Sequence, residues 1–422
     1  MSCCLCQSSV SFRNMFPSVL SIFLNILFAL PCPTSPLYSS SNDEIRIFTN
    51  GPFHIQYPEL EILQHQAFFL ESLEHSKDTK MSITCSELGV TFTNDPPFDV
   101  LGLPECGNRV SPILHLYLPG GFDCELDAFN LPNRKTRLCF ETLNEKISVK
   151  KIVILIHGFL KSFKDPWLHE YQANIMKLDP GTAVIIVGWG GGIFDLFKYW
   201  QSAANTRYVS TAMYEIIKEL RRIVYSRDFY IHCIGHSLGG HACGLLGKLL
   251  VENNDKPLNR ISGLDPAGPL FCNDVPYPFD RVNARKEARL GPEYADFVDV
   301  IHTDGHARYF GYIPQYGTLE RLGMIDFYPG TNGLYGQDQP GCDNVFDVVS
   351  CSHARAHEIY GSSIDDAVCE ASRICKGDPH VIPKNCSYVG KKIITMGYWI
   401  DPNSFSPGEY TVESSAKPPF CL

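Results

Sequence analysis

The sequence carries little positive charge for its length. Its 422 residues include 36 Lys and Arg against 46 Asp and Glu, which gives a formal net charge of -10 and a pI of about 5.8. Such a chain lacks the basic surface that attracts nucleic acids or anionic membranes. We therefore expect no nucleic-acid partner, and any contact with a lipid surface must be made by apolar loops.

The sequence also lacks an N-terminal hydrophobic run long enough for a membrane span. Residues 15–30 are apolar but are interrupted by Pro17 and Asn25, and a spanning helix needs about 20 predominantly apolar residues. A secretory signal peptide over residues 1–32 is the better interpretation, and an uncleaved anchor is the alternative. The 17 cysteines are typical of an oxidising compartment. The chain is therefore expected to be secreted and extracellular.

The stretch that carries the most chemical information is Gly235-His236-Ser237-Leu238-Gly239. Residues 229–234 before it form a short apolar run typical of a strand, and residues 238–251 after it have helical composition. A Gly-x-Ser-x-Gly sequence between a strand and a helix is typical of a nucleophile elbow, a tight turn that presents the serine hydroxyl. The pentapeptide alone occurs by chance in chains of this length, but its context favours Ser237 as a nucleophile.

Two cysteines flank this turn, Cys233 in the predicted strand and Cys243 in the predicted helix. We interpret both as small buried apolar residues rather than as disulfide partners. Four cysteines near the C-terminus are instead expected to form disulfides, and their pairing stays open: Cys369, Cys375, Cys386 and Cys421.

Two continuous apolar runs, residues 152–156 and 183–187, precede the elbow. Such runs are typical of parallel strands that are buried on both faces. The first run ends in His157-Gly158-Phe159, where a glycine directs the next N–H groups into a site. We predict that the Phe159 and Leu238 N–H groups form an oxyanion hole. The alternation of strands and helices predicts an α/β hydrolase fold, a mainly parallel central sheet with helices on both faces.

A serine nucleophile needs a base and an acid. Asp265 follows the short strand of residues 260–264, at the end where open α/β sheets place their functional groups, and is predicted to be the acid. The base must reach Ser237 on one side and a carboxylate on the other. His157 is a weak candidate, because better placed histidines come later. Spacing alone does not choose among three of them: His302, His353 and His357.

Taken together, these motifs resemble the pancreatic lipase family of secreted animal lipases and phospholipases A1. The resemblance extends from about Ile113 to Leu422. The motifs that carry it occur in the family's order: Ile156-His157-Gly158-Phe159, Gly235-His236-Ser237-Leu238-Gly239, Gly263-Leu264-Asp265-Pro266-Ala267-Gly268-Pro269, Val298-Asp299-Val300-Ile301-His302-Thr303, Ile325-Asp326-Phe327-Tyr328-Pro329 and Cys351-Ser352-His353.

The resemblance implies a role for each candidate residue. Ser237 becomes the nucleophile, Asp265 the acid that orients the base, and His353 the base. His302 is then a structural histidine at the end of a strand. The chain is expected to hydrolyse carboxylic esters of lipids at a membrane, micelle or emulsion surface, without a cofactor.

The resemblance also implies a lid, closed by a disulfide between Cys342 and Cys351. Only residues 343–350 lie between them. Family members that attack triacylglycerol have lids of about twenty residues or more, and eight residues cannot form a large lid helix. A short lid resembles that of the phospholipases A1, whose open sites admit a polar head group. Its apolar residues are expected to form a lip for a lipid surface or, alternatively, to pack beneath the loop: Val345, Phe346, Val348 and Val349.

The expected function is therefore phospholipase A1-like release of the sn-1 fatty acid from glycerophospholipids. One alternative is a triacylglycerol lipase, since the segment of residues 271–292 is longer than the matching loop of those phospholipases. The other is a non-catalytic, yolk-type lipid-binding protein on the same fold.

Departures from the family pattern set further expectations. Gly291-Pro292-Glu293-Tyr294 replaces the family's acidic run, so no metal is expected. Val187-Gly188-Trp189 replaces the usual Val-Asp-Trp. Met396-Gly397-Tyr398-Trp399 resembles the last strand of the family's catalytic domain, and about twenty residues follow it, so we expect no C-terminal β-sandwich domain and no colipase. The expected division is a signal peptide (1–32), an N-terminal extension (33–105) and a lipase catalytic domain (106–422).

Overall fold

The computed structural model of the chain describes residues 40–41, 44–45, 80–146, 148–190, 199–274, 284–305, 315–331, 333–342, 351–365, 368–373, 393–402 and 406–421. The chain divides into two compact units, Met1–Ser72 and Leu73–Leu422. In the first unit, β1 (Ser40–Ser41) and β2 (Glu44–Ile45) pair in antiparallel fashion. The second unit carries the candidate site. In the described part of the chain, no helix is both long and apolar enough to cross a bilayer, and the predicted signal peptide of residues 1–32 lies outside the described residues.

An 11-stranded sheet forms the centre of the second unit, as far as the described residues show. Its spatial order is β14-β13-β15-β12-β11-β10-β9-β7-β8-β5-β6. The run from β15 to β8 is parallel throughout, and the two edges are antiparallel. The strands are β5 (Ile113–Leu118), β6 (Phe122–Leu126), β7 (Lys151–Ile156), β8 (Thr182–Gly188), β9 (Tyr230–His236), β10 (Arg260–Leu264), β11 (Val298–Ile301), β12 (Ile325–Gly330), β13 (Cys369–Arg373), β14 (Ile393–Met396) and β15 (Gly408–Glu413).

Five described α-helices surround this sheet: α1 (Arg134–Glu145), α2 (Pro166–Leu178), α3 (Tyr199–Ile223), α4 (Leu238–Glu252) and α5 (Cys351–Ile364). Helix α2 packs against α5, and α3 packs against α1 and α4. Val153 and Leu155 of β7 pack in one core cluster with residues of α2 and α5. Because side chains alternate along a strand, the buried Ile152 and Ile154 face the opposite side. The predicted α/β hydrolase fold, with helices on both faces of a mainly parallel sheet, is confirmed.

The residues that precede the sheet pack closely against it. β3 (Ser82–Cys85) and β4 (Val90–Thr93) form a hairpin, which a disulfide between Cys85 and Cys106 ties to the chain that follows. The buried guanidinium of Arg207, on α3, donates to the Thr93 carbonyl at 2.9 Å. Residues 80–105 therefore belong to the same compact unit as the sheet, and the division into a signal peptide, an N-terminal extension and a catalytic domain stays a prediction.

Five disulfides join described cysteines, and one of them contradicts the sequence analysis. Cys233 of β9 and Cys243 of α4 are both fully buried, as expected, but they are bonded to each other, with their Cα atoms 5.8 Å apart. The interpretation as unpaired apolar residues was wrong because the tight turn between strand and helix brings the two within bonding distance. The other four disulfides are Cys85–Cys106, Cys124–Cys139, Cys342–Cys351 and Cys369–Cys421.

We expect replacement of both Cys233 and Cys243 by alanine to lower the free energy of unfolding by about 3 kcal/mol. This value follows from the entropy that a cross-link over a loop of about 10 residues removes from the unfolded chain. Urea unfolding of the variant and of the native protein under non-reducing conditions measures the difference. Equal midpoints and slopes for the two proteins would show that the bond contributes nothing to stability.

Candidate active site

Ser237 lies on the turn between β9 and α4, with φ 57° and ψ -123°. A non-glycine residue at positive φ stores strain of about 1–3 kcal/mol, which the surrounding structure has to overcome. Here three glycines permit a very close packing. A Cβ on Gly235 would lie 2.2 Å from the Gly239 carbonyl oxygen, and one on Gly158 would lie 2.5 Å from Ser237 Cβ. The sequence between strand and helix thus forms the elbow that its glycines predict.

Asp265 follows the end of β10 and is completely buried. Its Oδ1 accepts hydrogen bonds from the Thr303 N–H at 2.8 Å and from the Asp304 N–H at 3.2 Å. Its Oδ2 contacts His353 Nδ1 at 2.6 Å. The two amides fix the carboxylate, so that one oxygen points at the imidazole.

His353 is the third residue of α5, and its side chain is 12% exposed. Its carbonyl oxygen bonds His236 Nε2 at 2.9 Å, which holds the start of the helix close to the elbow. Because Nδ1 faces Asp265, Nε2 is the ring nitrogen left for a proton from serine. Ser237 Oγ makes no hydrogen bond within the described part of the chain, and such bonds in unliganded enzymes often tighten only when substrate binds.

The other candidate histidines have different partners. His302 Nδ1 bonds the Thr318 carbonyl at 2.6 Å, and its Nε2 bonds Asp326 Oδ1 at 2.9 Å. Burial lowers the pKa of His302, but the hydrogen bond to Asp326 and the charge of that carboxylate outweigh it, and the net shift is upward. His357 stacks on Trp167 at 5.3 Å between ring centroids, and burial lowers its pKa to about 3. Among the candidate bases in the described chain, only His353 is hydrogen-bonded to Asp265.

His157 is locked in a structural role. Its Nε2 accepts from the Trp189 N–H at 3.1 Å, so its Nδ1 carries the proton and donates to the Gly158 carbonyl at 2.8 Å. The same region accounts for Gly188, which occupies the position of the aspartate in the usual Val-Asp-Trp sequence. A Cβ on Gly188 would lie 2.5 Å from Phe163 Cβ, so a larger side chain cannot be accommodated without moving that residue.

The residues predicted to form the oxyanion hole lie beside Ser237. Leu238 is the first residue of α4, where backbone N–H groups have no partner within the helix. Phe159 follows Gly158, which packs against Ser237. Neither the Phe159 amide nor the Leu238 amide donates a hydrogen bond within the described residues. Their role as oxyanion donors stays a prediction.

A cavity of about 450 Å³ opens next to these residues. It is bounded on one side by the loop that follows β7 and on the other by residues after β8. Its lining is mixed in character: Gly158, Phe159, Leu160, Lys161, Ser162, Lys164, Asp165, Pro166, Trp189, Gly190 and Ser202.

Only the two cysteines that close the predicted lid lie within the described residues. The disulfide between Cys342 and Cys351 is present, and Cys351 begins α5, two residues before His353. The disulfide therefore anchors the loop directly beside the candidate base. The four residues predicted to form an apolar lip lie outside the described residues: Val345, Phe346, Val348 and Val349.

Two groups of potential metal ligands occur among the described residues. In the first, Cys85 and Cys106 are consumed by their disulfide. In the second, ligand atoms of Asp265, Asp304 and His353 lie within 4.8 Å of one another. These atoms belong to the hydrogen-bonded group described above, and Asp304 Oδ2 accepts from the Tyr316 N–H at 3.1 Å. The second group is thus explained by hydrogen bonding.

The sequence analysis missed Asp304 and Gly317. Asp304 follows β11, the parallel neighbour of β10, so its position at the same edge as Asp265 was a signal that could have found it. Gly317 gives no such signal. It touches Asp265 from a distant loop, where a Cβ would lie 2.3 Å from Asp265 Oδ1.

We expect replacement of Gly317 by alanine to lower kcat about 10²-fold, because displacement of a catalytic group by about 1 Å has costs of that order. Hydrolysis of p-nitrophenyl butyrate measures the effect. Gly361→Ala is the matched control, since its Cβ would crowd the Tyr171 ring at 2.9 Å, away from Asp265. Equal kcat values for the two variants would contradict a specific role for Gly317.

Buried histidines predict a loss of stability on mild acidification. Burial lowers the pKa of His157 to about 4 and the pKa of His241 and His357 to about 3. In the unfolded chain these groups have a pKa of about 6.5, so below that pH the unfolded state binds more protons than the folded state. The stability that these neutral histidines give the folded state is therefore complete above pH ~6.5. As the pH falls below that value, each residue lowers the free energy of unfolding by up to ~1.4 kcal/mol per pH unit.

Urea unfolding between pH 7 and pH 5 tests this expectation. The interval lies above the ordinary pKa of carboxyl groups. The raised pKa of His302 acts in the opposite direction and reduces the slope of the free energy of unfolding against pH. We expect the free energy of unfolding to fall as the pH falls, and a constant or rising value would show that these histidines are not held neutral.

Comparison with known proteins agrees with this geometry. The family model described as Lipase matches residues 139–413. Pancreatic lipase-related protein 2 from Cavia porcellus is 36% identical over 238 residues, which cover 56% of this chain and 44% of the relative. Lipase member H-A from Xenopus laevis is 30% identical over 315 residues, 69% of this chain and 62% of the relative. Pancreatic triacylglycerol lipase from Sus scrofa is 32% identical over 232 residues, 51% of this chain and 46% of the relative. The matched parts thus span about half the length of these relatives.

Proposed function

This chain belongs to the lipase family, and from that premise we propose that it is a secreted hydrolase of lipid carboxylic esters with the specificity of a phospholipase A1. The observation that carries the proposal is the 2.6 Å contact between His353 Nδ1 and Asp265 Oδ2, close to the strained turn that bears Ser237. A buried carboxylate that orients an imidazole next to a serine hydroxyl is the arrangement that activates a serine nucleophile.

The proposed mechanism is an acyl-enzyme cycle. Ser237 Oγ attacks the ester carbonyl while His353 Nε2 takes its proton, and the charge of Asp265 stabilises the resulting imidazolium. The Phe159 and Leu238 N–H groups stabilise the oxyanion. His353 then protonates the leaving alcohol, and a water molecule, activated by the same imidazole, releases the fatty acid from Ser237.

The short lid supports a phospholipid substrate. The disulfide between Cys342 and Cys351 limits the loop to eight residues, which are too few for a large covering helix. A site without such a cover admits a polar head group. The substrate is proposed to be bound at a membrane, micelle or emulsion surface without colipase. Hydrolysis of triacylglycerol is the second candidate, favoured by the long segment of residues 271–292 and by the relative that is named a triacylglycerol lipase.

Purified protein incubated with phosphatidylcholine that carries different acyl chains at sn-1 and sn-2, and separately with a triacylglycerol emulsion, distinguishes the candidates. We expect selective release of the sn-1 chain. Faster turnover of triacylglycerol would favour the second candidate, and absence of any fatty acid release would favour a non-catalytic lipid-binding protein.

A further inference from the structure

We propose that the cavity beside Phe159 is a head-group subsite, in which Lys161 and Lys164 bind the phosphate of an anionic glycerophospholipid. This inference rests on the proposed function, because it specifies the substrate class of the same site. It is carried by the position of the cavity and by the charged residues in its wall.

The cavity lies beside the residue that packs against the nucleophile. Its wall includes Gly158 and Phe159, and a Cβ on Gly158 would lie 2.5 Å from Ser237 Cβ. In a glycerophospholipid, the sn-1 ester and the phosphate are attached to opposite end carbons of one glycerol. A substrate whose sn-1 carbonyl meets Ser237 Oγ therefore has to place its phosphate in a space next to the nucleophile, and this cavity is such a space.

The charges on the cavity wall favour an anion. Lys161 Nζ lies 3.7 Å from Asp165 Oδ1, and Asp165 Oδ2 also accepts from the Ser162 N–H at 3.2 Å. Lys164 forms no ion pair within the described part of the chain. The residues that line the cavity thus include two lysines and one aspartate, a local excess of positive charge in a chain with a formal net charge of -10. The acidic character of the whole chain does not extend to this cavity.

The lining combines apolar and polar residues. Phe159 and Trp189 are apolar, and the same lining includes four residues with polar side chains: Lys161, Ser162, Lys164 and Ser202. Covering these polar groups with a hydrocarbon chain would desolvate them without supplying acceptors. Phosphate oxygens supply acceptors, and their hydrogen bonds to ammonium groups are strengthened by charge.

The charge of Lys161 also acts on the interior of the site. Burial is the main cause of the low pKa of His357, and the positive charge of Lys161 is the next cause. The His357 ring lies 5.2 Å from the ring of His236, which in turn lies 4.6 Å from the ring of His353. Lys161 also lines the cavity itself. It would repel the cationic end of a choline head group, so the subsite prefers a head group without a positive charge.

The test compares two short-chain substrates as monomers, dihexanoyl phosphatidylglycerol and dihexanoyl phosphatidylcholine, below their micelle concentrations. Monomeric substrates remove any effect of attachment to a charged surface. The variants are Lys161→Gln, Lys164→Gln and the double substitution. Lys177→Gln is the matched control, because Lys177 lies in the last turn of α2, about 16 Å along the helix from the cavity residue Pro166.

We expect the native protein to favour phosphatidylglycerol about tenfold in kcat/KM, the size of effect that one charge-assisted hydrogen bond gives. The double variant should lose this preference because its KM for phosphatidylglycerol rises about tenfold more than its KM for phosphatidylcholine, and Lys177→Gln should retain both the preference and the native KM values. The proposed subsite would be overturned if the double variant kept the native ratio of kcat/KM for the two monomeric substrates. It would also be overturned if the ratio changed only when the substrates were supplied in vesicles. Absence of hydrolysis of either phospholipid by the native protein, with triacylglycerol turned over, would instead overturn the proposed function on which the subsite rests.

Discussion

Replacing Ser237 with alanine is expected to lower kcat about 10⁶-fold, the loss typical of serine hydrolases that lose their nucleophile. The substitution removes the hydroxyl that the elbow carries, and alanine supplies no other nucleophile at that position. The fold should be unaffected, since the Ser237 N–H still donates to the Leu264 carbonyl at 3.0 Å and alanine adds no volume. Hydrolysis of p-nitrophenyl butyrate and the thermal unfolding midpoint measure the two effects.

Ser362→Ala is the matched control for this substitution. Ser362 lies in α5, the helix that carries His353, and its hydroxyl bonds the Glu358 carbonyl within the same helix. We expect unchanged kcat and an unchanged midpoint for the control. Substantial ester hydrolysis by a folded Ser237→Ala protein would mean that another residue is the nucleophile.

Replacing Asp265 with asparagine is expected to lower kcat about 10⁴-fold, as in serine hydrolases whose acid is made neutral. The reason is specific to this site. Asp265 Oδ1 accepts from two N–H groups, so an asparagine has to place its carbonyl oxygen there and its NH₂ group toward His353. His353 Nδ1 then has to accept a hydrogen bond, and Nε2 carries the proton. An imidazole in that tautomer cannot take the serine proton.

The exposed pair of His115 and Asp123 offers a matched control, because its Nε2···Oδ2 distance is also 2.6 Å. Asp123→Asn changes an aspartate in contact with a histidine at an edge of the sheet, far from the elbow. We expect it to leave kcat unchanged. If Asp265→Asn and Asp123→Asn gave the same kcat, the orientation of His353 by Asp265 would have no role in the reaction.

The parts of the fold that the sequence predicted are those with a local cause. The strands β7 and β8 are continuous runs of apolar residues, and a central parallel strand needs nothing more. The elbow is equally local, since two glycines and a serine between a strand and a helix determine its geometry. Asp265 could be predicted as the acid because the end of a strand is a position that can be recognised without knowing its neighbours.

The parts that could not be predicted depend on contacts between distant segments. Spacing left three histidines open, and only the packing of α5 against the elbow brings His353 to Asp265. The disulfide between Cys233 and Cys243 was missed because the sequence shows two apolar elements but does not give the distance between the two cysteines in the folded chain. Gly317 was missed for a similar reason, since its value lies in the space it leaves for the Asp265 carboxylate, 52 positions earlier in the chain.

Labelling with a fluorophosphonate ester, followed by mass spectrometry of the digested protein, tests the central claim most directly. The reagent phosphonylates a serine, with loss of fluoride, only where that serine is activated as a nucleophile. The account predicts one adduct per chain, on the peptide that contains Ser237, formed in parallel with the loss of esterase activity and formed far more slowly in Asp265→Asn. Loss of activity with the adduct on a different residue, or full activity in protein that is labelled at Ser237, would contradict it.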